Sequence, residues 1–236
     1  MGLRDPISSA THLLAAGWAA YATLVLVRLT PPGSARRAAA AVYGLSMVLL
    51  YLASGVFHAV PFTRADDPAE FGIFQAADRS AIFLLIAGTN TPVIVTLLAG
   101  RWRRWCLLGM WGLALAGVAS LWLLPQTPYA VTVTLYVTMG WLGGIPVVHY
   151  YRAVGWRAMN WVLAGGLLYT AGAACDLFKW PKLAGESVRV GPHEVFHLAV
   201  VAASAAFFVF VTRYVLLYDP PLPPVGPRDL VRGGGT

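Results

Sequence analysis

The stretch GPHEVFHLAVVAASAAFFVFVTRYVLL, residues 191–217, joins two features that are costly to combine. It is apolar for longer than the ~20 residues that cross a bilayer as a helix, yet it opens with His193, Glu194 and His197. Ionisable residues are expensive in a membrane helix and mark a functional site by default. His193 and His197 are four positions apart, so on a helix they stack on one face about one turn from each other. The run therefore specifies a membrane helix, and its histidines need partners from elsewhere in the chain.

Outward from this run the apolar pattern repeats. The chain of 236 residues is 58% hydrophobic and 11% charged, with a mean hydropathy of +0.66, whereas a soluble domain carries about 25% charged residues. Seven segments, about 8–29, 38–58, 74–99, 105–124, 129–150, 155–175 and 191–217, each approach the length of a membrane span. Period-2 alternation is absent, and the runs exceed the ~9–11 residues of a tilted barrel strand. The fold class expected is an all-α integral membrane protein, a seven-transmembrane helical bundle over 8–217. It lies between a short N-terminal tail, 1–7, and a Pro/Gly-rich tail, 218–236, expected to be disordered. The first segment is too long for a signal-peptide core of ~7–15 residues, and it is followed by RLTPPGSARR without a convincing cleavage site, so it is kept as helix one.

The net charge of +7 raises the question of a nucleic-acid partner, but its distribution argues for topology and against nucleic acid. Most of the 17 basic residues, among them Arg36, Arg37, Arg101, Arg103, Arg104 and Arg157, fall after helices one, three and five or in the C-terminal tail. On the opposite face Arg4, Arg64, Arg79, Lys179, Lys182 and Arg189 are diluted by Asp5, Asp66, Asp67, Glu70, Asp176 and Glu186. The positive-inside rule then places the N-terminus outside and the C-terminus in the cytoplasm, in a multi-pass protein expected in a bacterial plasma membrane.

Cys106 and Cys175 fall on opposite membrane faces, beyond disulfide reach, and no Cys-x-x-Cys exists, so a metal would take nitrogen and oxygen ligands. Three helix ends meet at one depth on the outer side: YLASGVFHAV, FQAADRSAIF and GPHEVFHLAV. Ser54 and His58 share a face just as His193 and His197 do, so three imidazoles can converge, and three histidines plus a water form the ligand set of a catalytic zinc centre. Asp78 enters at similar depth, where a carboxylate can accept a proton or orient an imidazole. Each feature has a plainer reading, as helix packing, a solvated pair or an interfacial ion pair of Asp78 with Arg79; the coincidence of all three favours the site.

Other residues are weaker candidates. His12 and His149 lack sequence partners and are read as hydrogen-bonded or snorkelling histidines. The nine Trp suit lipid-facing and interfacial belts. Gly140 and Gly144 are expected to let helix five pack closely on a neighbour. In LIAGTNTPV, Pro92 removes a backbone donor and predicts a kink, with Thr89, Asn90 and Thr91 available to bond carbonyls or to form a polar cavity wall.

The motifs SGVFH, DRSAIFLLIAGTNTP, GGLLYTAG and HEVFHLAV, in this order over about residues 10–217, resemble the hemolysin III branch of the progestin and adipoQ receptor family. The resemblance implies a seven-helix bundle with zinc held by His58, His193 and His197, Asp78 near the metal-bound water, and Ser54 one turn before the first ligand. It also implies kinship with alkaline ceramidases within a proposed superfamily of membrane metal-dependent hydrolases. Where relatives often carry His after the aspartate and Tyr in the Gly-Thr-x-Thr-Pro run, this chain has Arg79 and Asn90, neither of them an expected ligand position. Adiponectin-receptor relatives keep the N-terminus in the cytoplasm, opposite to the orientation read here.

The function expected is hydrolysis of a ceramide-like lipid amide reached from the membrane, with zinc activating water, Asp78 moving the proton and Ser54 holding the water or the developing oxyanion. A second reading takes His193-Glu194-x-x-His197 as a metalloprotease motif with Glu194 as base, which leaves Ser54 and His58 unexplained. A third is a zinc-stabilised sensor or membrane-perturbing protein without catalysis; three strong ligands, rather than the four of a closed structural site, favour chemistry.

Overall fold

The computed structural model describes residues 3–61, 63, 65–181 and 190–218, and among these the chain is helical with no strand. Seven helices follow in order: α1 (Pro6–Arg28), α2 (Ala35–Ala59), α3 (Pro68–Leu97), α4 (Gly100–Leu123), α5 (Tyr129–Leu142), α6 (Val147–Phe178) and α7 (Pro192–Phe210). A π-helical turn, Val211–Val215, extends α7. The tail expected to be disordered lies, beyond Tyr218, outside the described residues, as do Arg64, Lys182, Glu186 and Arg189.

The helix starts are written in the sequence. Proline opens α1, α3 and α7, where its missing N–H costs nothing. The Ser34 hydroxyl caps α2 by accepting from the Arg37 amide at 3.1 Å, and the Asp67 carboxylate caps α3 by accepting from the Ala69 and Glu70 amides at 3.1 and 2.9 Å. Six helices, all but α5, are long and apolar enough to cross a membrane. Leu14, Leu45, Leu115, Leu123 and Leu167 stand exposed on the outside, as lipid-facing residues of a bundle do.

The chain between Tyr129 and Phe178 is divided differently from the expected helices at 129–150 and 155–175. α5 has only 14 residues. Pro146 has no N–H to continue its ladder, and the chain turns instead through short bonds from Gly143, Gly144 and Ile145 to carbonyls three residues back. α6 then runs from Val147 with one break at Gly155, whose φ of 74° and ψ of 175° suit only a residue without Cβ. The close packing expected through Gly140 and Gly144 is also relocated. A Cβ at Gly140 would meet nothing within 4 Å, whereas one at Gly143 would lie 2.3 Å from Asn90 Oδ1. The glycine that lets α5 approach α3 is Gly143.

α1, α2, α3 and α7 close around one apolar core. Buried polar contacts fix their neighbours. The Trp111 and Trp122 indoles of α4 donate to Thr91 and Ser80 of α3, each at 3.1 Å. Tyr51 of α2 donates to Ser204 of α7 at 2.8 Å, and the Tyr169 hydroxyl of α6 meets the same Oγ at 2.9 Å. Around Pro92, Thr89, Asn90 and Thr91 bond the carbonyls four residues back, Leu85, Ile86 and Ala87. Thr89 and Asn90 also face a cavity left where α5 and α6 stand away from α3, so this run serves both as backbone support and as a polar wall.

Candidate metal centre

The cavity has a volume of about 690 Å³ and a predominantly apolar wall, within the ~300–1,000 Å³ of ligand sites. It reaches from His193 to Phe210 along α7, roughly 25 Å at about 1.5 Å per residue. One end of it carries Ser54, His58, Asp78, His193 and His197, so the structure brings together all five residues singled out from the sequence.

His58 lies in the last turn of α2, and His193 and His197 in the first two turns of α7. The donor atoms of the three rings all fall within 4.8 Å of one another. His193 Nε2 is 3.2 Å from His58 Nε2 and 3.1 Å from His197 Nε2. His58 and His197 are buried, 4% and 2% exposed, while His193 is half-buried.

The far nitrogens decide what the near ones can do. His58 Nδ1 is 2.9 Å from Asp5 Oδ2, and His193 Nδ1 is 3.1 Å from Asp176 Oδ1. An ionised carboxylate only accepts, so each Nδ1 carries the proton and each Nε2 presents a lone pair. Partial burial alone would raise the Asp5 carboxyl, but hydrogen bonds from His58 and Arg4 outweigh it and hold Asp5 below the usual carboxylate range, charged at neutral pH. Two lone pairs facing each other at 3.2 Å repel unless a cation lies between the rings. Nitrogens bound tetrahedrally to zinc at ~2.0–2.1 Å stand about 3.3 Å apart, close to the spacing found. The donor set, its protonation and its spacing fit a metal ion.

Three residues that the motifs did not reveal complete this arrangement. Asp5 and Asp176 orient two of the rings. Arg4 ties the segment before α1 to the end of α2, with Nε 2.9 Å from Asp5 Oδ2 and Nη2 donating to the Phe57 carbonyl at 2.6 Å. The Asp5 amide also donates to the His58 carbonyl at 3.1 Å. His12 does not snorkel. It is 3% exposed and lies flat against His197, centroids 3.8 Å apart and planes at 14°, holding that ring's plane by stacking. His149 is exposed and sits against Trp102, with centroids 4.9 Å apart.

Asp78 and Glu194 differ sharply in what they face. Asp78 lines the cavity from α3 and interacts electrostatically with Ser54, His58 and His193. Glu194 is turned away: Oε2 accepts from the Gly191 amide at 2.7 Å and Oε1 from the Ser8 hydroxyl at 3.0 Å. It caps α7 and fastens it to α1.

The orienting carboxylates carry a direct expectation. Asp5→Asn and Asp176→Asn should each weaken zinc binding by ~10–100-fold, the usual effect of removing an outer partner of a metal-bound histidine. Chelator competition on purified protein measures this, and unchanged affinity in both variants would show that neither carboxylate sets its imidazole.

Residues 3–208 match the family model described as haemolysin-III related. Hemolysin-3 of Bacillus cereus is 33% identical over 218 residues, covering 91% of this chain and 93% of that protein. The Hemolysin-3 homolog of Bacillus subtilis (strain 168) is 31% identical over 173 residues, 73% and 75% of the two chains. The human Monocyte to macrophage differentiation factor is 24% identical over 174 residues, 74% and 69% of the two chains.

Proposed function

The chain belongs to the haemolysin-III related family, and from that premise we propose that it is a zinc-dependent membrane hydrolase acting on ceramide-like lipid amides. The observation that carries this reading is the position of the three imidazoles at one end of a long apolar cavity, with Asp78 and Ser54 on the same wall. A zinc ion held by His58, His193 and His197 supplies Lewis acidity toward a carbonyl and lowers the pKa of a water to about 7.

The chain's own residues account for the rest. The apolar wall takes the acyl chain and excludes water, which places the polar amide at the cluster of ionisable groups at the end of the cavity. Asp78 is the proton acceptor, and passes the proton on to the departing amine. Ser54 holds Asp78 in position and offers a donor to developing negative charge on the carbonyl oxygen. Membrane lipids are thus both the surroundings of the protein and the source of its substrate.

Seven crossings suit this reading better than six. The outer-end contacts put the end of α2, the start of α5, the end of α6 and the start of α7 on one side, because Tyr129, Asp176 and His193 touch there. In this reading α5 and the segment up to the Gly155 break cross away from the site before α6 returns. With the positive-inside rule, the site faces outward from a bacterial plasma membrane and the C-terminus is cytoplasmic. A reporter active only in the cytoplasm, fused after Tyr218, should be active; activity of a periplasm-only reporter there would invert the orientation.

The functional test uses purified protein in nanodiscs against a panel of lipid amides. Hydrolysis should appear, be lost on chelation, and return with zinc. A fully zinc-loaded protein that cleaves none of the panel would hand the site to a non-enzymatic, zinc-stabilised sensor.

A further inference from the structure

We infer that the substrate of this site carries an acidic headgroup, a carboxylate or phosphate on the amine side of the amide, received by Arg79 and Lys179 at the outer mouth of the cavity. This inference rests on the lipid-amide reading and narrows it.

The two cations come from different helices to one place. Both line the cavity, and both face the Tyr129 ring, with Arg79 Cζ 5.0 Å and Lys179 Nζ 5.7 Å from its centroid. Tyr129 opens α5, and Lys179 follows the last residue of α6, so this ring marks the outer rim. Lys179 is exposed, whereas Arg79 is half-buried beside the reacting groups.

The nearest carboxylates are already engaged. Asp176 is bonded by the Tyr129 hydroxyl, by Lys179 Nζ at 2.9 Å and by His193 Nδ1 at 3.1 Å. Asp78 interacts electrostatically with Arg79 but is shared with Ser54 and the imidazoles. Among the described residues Arg79 forms no ion pair. Its guanidinium is a planar fork that suits carboxylate or phosphate oxygens, and a half-buried charge of this kind gains from a partner.

The layout of the cavity selects which part of the substrate meets that fork. With the acyl chain along α7 and the amide carbonyl beside the imidazoles, the amine-side substituent is directed past Tyr129. A positive substituent would meet the Arg79 guanidinium there, Lys179 being already paired with Asp176. A neutral one would leave Arg79 unsatisfied, and an anionic one completes its charge and its hydrogen bonds.

The test is binding, not turnover. Zinc-loaded protein in nanodiscs of neutral phosphatidylcholine is titrated with two matched pairs, palmitoylglycine against its methyl ester and phosphorylated ceramide against ceramide. Intrinsic fluorescence reports filling, since Trp141 and Trp156 line the cavity. The charged member of at least one pair should bind about tenfold or more tightly than its neutral partner, and which pair shows it separates carboxylate from phosphate. Arg79→Gln should remove that preference without loss of zinc, and Arg79→Lys should keep most of it. Equal, saturable binding within both pairs overturns the acidic-headgroup assignment and leaves the lipid-amide reading standing, as does a preference that survives Arg79→Gln. No saturable binding by any of the four overturns both.

Discussion

His197→Ala is expected to remove the bound metal, taking purified protein from about one zinc per chain to near none, and His58→Ala and His193→Ala should do the same. The reason is the arithmetic of the site. Only these three residues among those described form a cluster able to hold an ion, so losing one leaves two nitrogens of the set. The loss should exceed the ~10–100-fold expected for the orienting carboxylates, which change the strength of a donor rather than its presence. His149→Ala, far from the cluster, should retain stoichiometric zinc. His12→Ala should retain it too, because His12 stacks on a ligand ring and contributes no nitrogen to the cluster. Elemental analysis of matched preparations decides the matter. Full zinc retention in His58→Ala would mean that α7 alone carries the metal, and the site spanning α2 and α7 would be abandoned.

The contrast between His58 and His12 also shows what the sequence could and could not reveal. His58 was legible because Ser54 precedes it by one turn at the end of an apolar run, a spacing that repeats in His193 and His197. His12 lies deep in a helix with no such companion. The signal available was its spacing of seven from Asp5, the residue that precedes α1. Asp5 and Asp176 looked like ordinary loop charge, since nothing local in sequence places a carboxylate against an imidazole on another helix; only the packing of α1 on α2 and of α6 on α7 does so. In the fold, long apolar runs announced the helices, but the division near Gly143, Pro146 and Gly155 was hidden, because continuous hydrophobicity masks a turn that a bundle can bury. Pro146 was the visible warning.

Asp78→Asn and Glu194→Gln separate the proposed chemistry from its nearest rival. Asparagine at 78 keeps the size of the side chain and a contact to Ser54 but cannot accept a proton, so hydrolysis should fall by the ~10²–10⁴-fold typical of a lost general base while most of the zinc stays. Glu194 occupies the motif position of a metalloprotease base, yet both of its oxygens are committed, one to the Gly191 amide and one to the Ser8 hydroxyl. Glutamine there keeps an acceptor for the cap and loses only the charge at the helix N-terminus, an effect of ~0.3–1 kcal/mol on stability. Activity per zinc should therefore change little in Glu194→Gln. Zinc content and lipid-amide hydrolysis, measured for both variants in the same nanodiscs, give the answer directly. If Glu194→Gln is inactive and Asp78→Asn active, α7 must turn its first turn inward during turnover, and the base belongs to the metalloprotease motif. If both are fully active with full zinc, proton transfer runs through neither carboxylate and the role given to the α3 wall is wrong.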